Sequence, residues 1–283
     1  MSAPEQITLT SPGGNLSATF LPGLGMVASS LRHGDAELLA QLGGPAAYAE
    51  RGSTFGVPIL HPWANRLFGW DYSAAGAQVH LEPDAPLLHK DEAGRAIHGV
   101  LAACPDWSVT ERTATTLTAE LDYGADARRL AVFPFPHRLS YEAAISEQAL
   151  AIVVTIRPSG ERAVPVSFGF HPYLTLPGSD RRRWRLQLPV RGGALDGELG
   201  ERTFDDGFET LSGPRFSVAD EHRRITVDFQ SGYPVAQVFA PANSDFICFE
   251  PMTAPTDALR TGRGLRVVEP GAEFRATFAI RVD

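Results

Sequence analysis

Four stretches of the chain hold polar side chains in surroundings that turns or core packing do not readily explain. Glu250 closes the apolar run Phe246-Ile247-Cys248-Phe249-Glu250-Pro251-Met252-Thr253. A carboxylate there is costly unless it is paired or used. Burial would raise its pKa toward a value useful for proton transfer. His171 sits in Val166-Ser167-Phe168-Gly169-Phe170-His171-Pro172-Tyr173, where Pro172 fixes the chain path and aromatic rings flank the imidazole. A satisfied core histidine is the ordinary outcome of such a frame, but rings beside an imidazole also suit the apolar face of a ligand. His98 precedes Gly99, the one residue type that lets a backbone approach closely. Arg66 follows Asn65 inside Pro58-Ile59-Leu60-His61-Pro62-Trp63-Ala64-Asn65-Arg66-Leu67. Its guanidinium must find a carboxylate, in a structural ion pair or in a site, or meet a heavy desolvation cost. His61 in the same stretch reads as structural.

Strands are the elements that must position these groups. Phe274, Ala276, Phe278, Ile280 and Val282 alternate with Glu273, Arg275, Thr277 and Arg281, and a period of two puts the two sets on opposite faces. The alternation recurs in Leu117 to Tyr123, Leu139 to Ile145, Trp184 to Val190 and Ile225 to Phe229. Turn chemistry separates such runs at Pro12-Gly13-Gly14, Pro177-Gly178, Gly192-Gly193 and Pro270-Gly271. Helical signal is limited to one or two turns at Pro45 to Arg51 and Thr256 to Thr261. Many short strands without βαβ alternation predict an all-β fold, a large antiparallel β-sandwich or barrel. No linker or composition shift divides the chain, so residues 1–283 are expected to form a single domain.

Composition narrows the function classes. A hydrophobic content of 43% with 20% charged residues suits a globular core, and a net charge of −8 argues against nucleic-acid or anionic-membrane partners. The amino-terminal stretch has no leader-like character, and no apolar run is long enough for a membrane span. Cys104 and Cys248 lack metal or redox spacing, which predicts two buried thiols in a reducing cytoplasm. There is no phosphate-binding loop, and Gly23-Leu24-Gly25 lacks the third glycine of a dinucleotide fingerprint. No His-Glu-x-x-His, paired Cys-x-x-Cys or Gly-x-Ser-x-Gly occurs. Neither a metal nor another cofactor is therefore expected. Arg181-Arg182-Arg183 reads as a solvated strand end, with a phosphate clamp as the other possibility.

Together the four stretches resemble the aldose 1-epimerase family, the galactose mutarotase-like proteins. The most specific pieces are Asn65-Arg66, His98-Gly99, Gly169-Phe170-His171-Pro172-Tyr173 and Glu250-Pro251. Leu21-Pro22-Gly23-Leu24-Gly25 near the start and the Pro270-Gly271 turn near the end fit the same order. The resemblance implies a galactose mutarotase-like sandwich with its site on the concave face of one sheet. It implies an isomerase that interconverts the α and β anomers of a free aldose, with a small-molecule sugar as partner and a monomer or homodimer as assembly. His171 would be the general acid toward the ring oxygen, and Glu250 the general base on the anomeric hydroxyl. Arg66, His98 and Asn65 would bind hydroxyls or developing charge. The aspartate that binds ring hydroxyls would be Asp205 or its neighbour Asp206, unless Asp206-Gly207 is a plain turn. Trp63 or Tyr173 would supply stacking.

Galactose-type members commonly have glutamine where this chain has Met252, which puts a galactose preference in doubt. Two alternatives accompany the reading. A hexose-6-phosphate 1-epimerase would need arginines at the site, from Arg181 to Arg183 or near Arg66. A sugar-binding protein without turnover would need no acid and base. A glycosidase built on Glu250 and Asp205 leaves His171 without a role.

Overall fold

A computed structural model describes residues 4–190, 195–210 and 213–283. The Gly192-Gly193 turn, and the first three residues of the stretch read for a leader, lie outside the described residues. The chain forms an antiparallel β-sandwich. A nine-stranded sheet takes the strands Ser108–Arg112, Thr116–Asp122, His137–Ile145, Ala149–Pro158, Phe274–Val282, Arg224–Ser231, Arg215–Ala219, Arg185–Gln187 and Gly197–Glu198 in that spatial order. A six-stranded sheet carries Phe204–Glu209, Val235–Ala240, Ile247–Met252, Gly169–Phe170 and Ile59–Leu60, with Tyr173–Leu174 also paired to Ile247–Met252. Four amino-terminal strands, Ile7–Thr10, Leu16–Leu21, Val27–His33 and Ala36–Glu37, form a third sheet.

The alternation in sequence becomes a two-faced strand in space. In Phe274–Val282 the residues Phe274, Ala276, Phe278, Ile280 and Val282 are all buried. Phe278 meets Phe170 of the six-stranded sheet at a ring separation of 4.8 Å, and Phe249 meets Phe216 at 5.8 Å. Those pairs mark the layer between the two large sheets. Since Phe249 and Phe170 turn inward, their neighbours Glu250 and His171 turn to the other face. That face is where the site lies.

Three local readings need correction or extension. The run Trp184 to Val190 is a strand only over Arg185–Gln187, because Trp184 ends a 3₁₀ turn begun at Arg181 and Val190 pairs separately with Thr210. Arg181 is no surface group. Its guanidinium is buried and donates to the carbonyls of Gly200, Arg202 and Pro241, so it ties loops together and is unavailable to a ligand. A helix at Ala127–Val132, capped by the Asp126 carboxylate accepting from the Arg128 amide, is too short for its period to show in the sequence. The expected helical turns occur at Gly44–Arg51 and Ala258–Thr261. No helix among the described residues is long and apolar enough to cross a membrane.

Candidate active site

Period two along three neighbouring strands gathers Asp205 and Gly207, Gln237 and Phe239, and Cys248, Glu250 and Met252 on one face. Gln237 lies directly across from Glu250, and Asp205 across from Phe239. His171 arrives from the adjoining segment, its amide donating to the Pro58 carbonyl at 3.2 Å. Gly169 before it must be glycine, because a Cβ there would stand 2.7 Å from the Pro251 carbonyl oxygen. His171 Nε2 and Glu250 Oε1 are 3.3 Å apart, and both side chains are buried.

His98 and Arg66 come from two crossing loops. Asn65 and His98 both adopt left-handed backbone, with φ of 59° and 62°, and the His98 amide donates to the Asn65 carbonyl at 2.9 Å. Gly99 follows at φ 69°, where a Cβ would lie 2.1 Å from the His61 carbonyl oxygen. The His-Gly pair is thus a requirement of close backbone approach. The crossing sets the His98 ring edge-on to His171, with centroids 5.4 Å apart. Arg66 Nε donates to Asp91 Oδ2 at 2.8 Å, Nη1 donates to Asn65 Oδ1 at 3.1 Å, and Nη1 lies 3.6 Å from Asp205 Oδ2. Asp205 Oδ1 accepts from Gln237 Nε2 at 2.8 Å. Asp205 lines the neighbouring cavity and Asp206 does not, and Gly207 is in a strand, which removes the plain-turn reading. All six residues singled out in sequence therefore converge. Asp91 and Gln237 join them without having been singled out. Their chain neighbours suggest only a hairpin end and a strand interior.

Electrostatics at the pair follow from burial. Removal from water pushes the Glu250 carboxyl well above its ordinary range; nearby Asp205 adds to this and Arg66 opposes it. Burial pushes the His171 imidazole well below its ordinary value, helped by His98 and Arg66. Burial, Arg66 and His89 push His98 down to about 3. Burial thus disfavours the charged form of each partner across the 3.3 Å separation, which favours a carboxyl facing a neutral imidazole. Glu250 Oε2, His171 Nδ1 and His98 Nδ1 are buried without a protein partner, which leaves hydrogen-bonding capacity at the centre of the site.

A cavity of about 350 Å³ adjoins this centre, lined on its polar side by Asn65, Arg66, Asp205 and Gln237. The expected stacking residues are not in it. Trp63 is wholly buried in the core at 0% exposure. Tyr173 is buried with its ring against His171. The aromatic rings that do line the cavity are Phe68, 54% exposed under the Arg95 guanidinium, and Phe208. Arg183 lines a different surface cleft with Asp180, Glu198 and Asp220. His61 is structural, as expected, with Nε2 2.8 Å from His137 Nε2 in a buried aromatic cage. Among the described residues there is no cluster of three or more side chains suited to a metal ion.

A curated relative, the uncharacterized protein YihR of Escherichia coli K12, is 26% identical over 254 residues, covering 78% of this chain and 77% of its own. The crystal structure of the Slr1438 protein from Synechocystis sp. PCC 6803 superimposes with a TM-score of 0.80 at 22% identity, covering 100% of this chain and 96% of the other. A galactose mutarotase-like protein from Clostridium acetobutylicum gives 0.82 at 13% identity, covering 98% and 95%. At those identities the structures speak for a shared sandwich fold. Residues 5–192, which include Arg66, His98 and His171, match the sequence pattern described as aldose 1-epimerase, and the chain belongs to that family.

Proposed function

We propose that this protein is an aldose 1-epimerase, an isomerase that interconverts the α and β anomers of a free aldose, acting as one domain. The observation that carries the reading is the buried His171–Glu250 pair, 3.3 Å apart, beside a polar-lined cavity. The ring oxygen and the anomeric hydroxyl of a cyclic aldose are bonded to the same carbon. An imidazole and a carboxyl this close can therefore address both together.

His171 Nε2–H gives its proton to the ring oxygen while the Glu250 carboxylate takes the proton of the anomeric hydroxyl. The bond from the anomeric carbon to the ring oxygen breaks and an aldehyde forms. Rotation about the adjoining carbon–carbon bond presents the other face of the carbonyl, and reversal of both transfers closes the ring on it. The neutral pair of the free site, carboxyl plus imidazole, holds the same number of protons as the reactive pair, carboxylate plus imidazolium. One proton passing between Oε1 and Nε2 converts one into the other. Arg66 favours the carboxylate, and Arg66, Asn65, His98 and Asp205 hold hydroxyls. Positioned acid and base groups each contribute roughly 10²–10⁴-fold, which suits a reaction that already proceeds in water.

The charge balance of the cavity supports an unphosphorylated sugar. Arg66 is matched by Asp91 and Asp205, and Arg263 by Glu209 at 2.8 Å. A phosphate would have to break one of these pairs. Both cysteines are unpaired, which supports a reducing compartment such as the cytoplasm. Polarimetry and NMR exchange on fresh solutions of aldoses and their 6-phosphates test the proposal. Acceleration for at least one free aldose is expected. Binding without acceleration across the panel would move the protein to the sugar-binding class.

A further inference from the structure

We propose that Phe68 is a specificity-determining residue that touches the substrate, its free ring face stacking on the C–H face of an aldopyranose while Arg66 holds hydroxyls. This rests on the sugar-site reading above. A pyranose is amphipathic: equatorial hydroxyls point outward from the edge of the ring, and axial C–H bonds make each face apolar. Asn65, Arg66, Asp205 and Gln237 suit the edge. The two rings expected to meet the face are withdrawn, Trp63 into the core and Tyr173 against His171. Two other aromatic rings line the cavity, Phe68 and Phe208. Phe208 follows Gly207 in the strand Phe204–Glu209, so period two turns it away from the face that carries Asp205 and Gly207. That strand is the edge of its sheet, and Phe208 reaches the cavity only around the edge. Phe68 stands two residues after Arg66, and Leu67 between them turns into the core. Arg66 and Phe68 both line the cavity.

The exposure of Phe68 is built into the chain around it. The Leu67 amide donates to the Ala96 carbonyl at 2.9 Å, and the Phe68 amide donates to Asp257 Oδ1 at 2.9 Å. Asp257 is buried, and its other oxygen accepts from Arg260 Nη1 at 2.9 Å. At Gly69 a Cβ would stand 2.8 Å from Arg260 Nε, so the chain after Phe68 runs hard against that guanidinium. The Arg95 guanidinium carbon lies 5.2 Å from the Phe68 ring centroid and covers one face. Arg95 belongs to the turn of Asp91, whose Oδ1 accepts from the Arg95 amide at 2.9 Å. One short turn therefore fixes both side chains, Arg66 through the Asp91 carboxylate and Phe68 through the Arg95 cation. The ring face that Arg95 leaves free carries the negative side of the aromatic quadrupole, which suits the weakly positive C–H bonds of a sugar face.

An axial hydroxyl obstructs the face from which it projects. Apart from the anomeric position, glucose and xylose carry only equatorial hydroxyls, so either of their faces can lie on Phe68, and both should be ligands. The contact is far from the bonds that change and is equally good before and during ring opening. Its loss should raise KM with a smaller change in kcat. For Phe68→Ala the expected rise in KM is about fivefold to tenfold. Phe68→Leu keeps apolar bulk without a flat face and should lose nearly as much. Phe68→Trp should restore wild-type KM or improve on it. Because the side chain is more than half exposed, these variants should fold like the wild type.

NMR exchange between the anomers of glucose and xylose gives KM and kcat. Intermolecular NMR contacts from ring-labelled phenylalanine to the sugar C–H hydrogens report the stack without turnover, and Phe68→Leu identifies which of the 16 phenylalanines supplies them. Contacts that vanish in Phe68→Leu, with KM raised in Leu and Ala and restored in Trp, are the expected result. Wild-type KM in Phe68→Leu would reduce Phe68 to an apolar wall and overturn the proposal. So would contacts that survive the substitution, or a wild-type protein that neither binds nor exchanges either sugar. Ring contacts without accelerated exchange on any aldose would overturn the acid–base reading instead and leave the face contact standing.

Discussion

Arg66 Nε is fixed to Asp91 Oδ2 at 2.8 Å, so only the far end of the guanidinium, 3.6 Å from Asp205, is left to reach a ligand. Asp91 in turn accepts from the amides of Ala93 and Arg95, which anchors it in its turn. The arginine is held by the loop that carries Asp91 and aimed at the sheet that carries Asp205. Asp91→Asn keeps the shape and removes the charge. The expected result is a rise of about fivefold to tenfold in KM with a smaller loss in kcat, because partly ordered side chains bind less well than fixed ones. Arg66→Lys, which cannot hold both carboxylates, should lose more. Steady-state kinetics on both variants check this, and an unchanged KM in Asp91→Asn would remove Asp91 from the site.

Glu250→Gln and His171→Asn each delete one proton-transfer partner and keep most of the shape. Each should lower kcat by about 10²-fold or more while sugar binding and circular dichroism stay near wild type. The wild-type profile of kcat/KM against pH should be a bell whose limbs belong to the pair. Turnover that survives His171→Asn but not Glu250→Gln would make His98, whose ring stands edge-on to His171, the candidate acid instead. Near-normal turnover in both variants would refute the assignment whatever the sugar.

Gly99→Ala tests the loop crossing. Its φ of 69° is left-handed, and the new Cβ would meet backbone at His61, which cannot move aside as a side chain could. A loss of about 2 kcal/mol or more is expected in urea denaturation. Activity should fall with it, since His98 is displaced. Full stability would show that the loop has room to shift.

The strands and the chemically awkward residues were legible because each signal is local. Alternation shows itself within one strand, and a glutamate closing an apolar run or an arginine among apolar groups is conspicuous in its own segment. Gln237 and Asp91 were not legible. Gln237 matters through antiparallel register, which sets it across from Glu250 and beside Asp205, and Asp91 through a contact 25 residues away from Arg66. Register and loop crossing are long-range facts. Trp63 and Arg181 misled for the same reason, since a tryptophan beside a site and an arginine in a basic run look accessible until the packing is known.

The last prediction concerns stability, where the pair leaves a trace that needs no substrate. The folded-state pKa of Glu250 is raised, so above the unfolded value of roughly 4.3 the folded protein holds a proton that the unfolded chain has released. Stability then falls as pH rises, by up to about 1.4 kcal/mol per pH unit for a full proton difference, until the folded-state value is passed. Below the unfolded value the penalty is absent. His171, shifted down, acts in the opposite sense: below roughly 6.5 the unfolded chain takes up a proton that the folded site refuses, and stability falls as pH drops. Glu250→Gln removes the first effect and leaves the rest of the protein's titration in place. Its stability relative to wild type should therefore climb as pH rises above roughly 4.3, until the folded-state value of Glu250 is passed, so that a variant nearly without activity gains in stability on the wild type with rising pH. Urea midpoints of the two proteins at pH 5, 6, 7 and 8 measure this difference directly. A difference that is flat, or that shrinks with pH, would mean that Glu250 is ionised in the free protein and that the contact with His171 is an ion pair in its resting state.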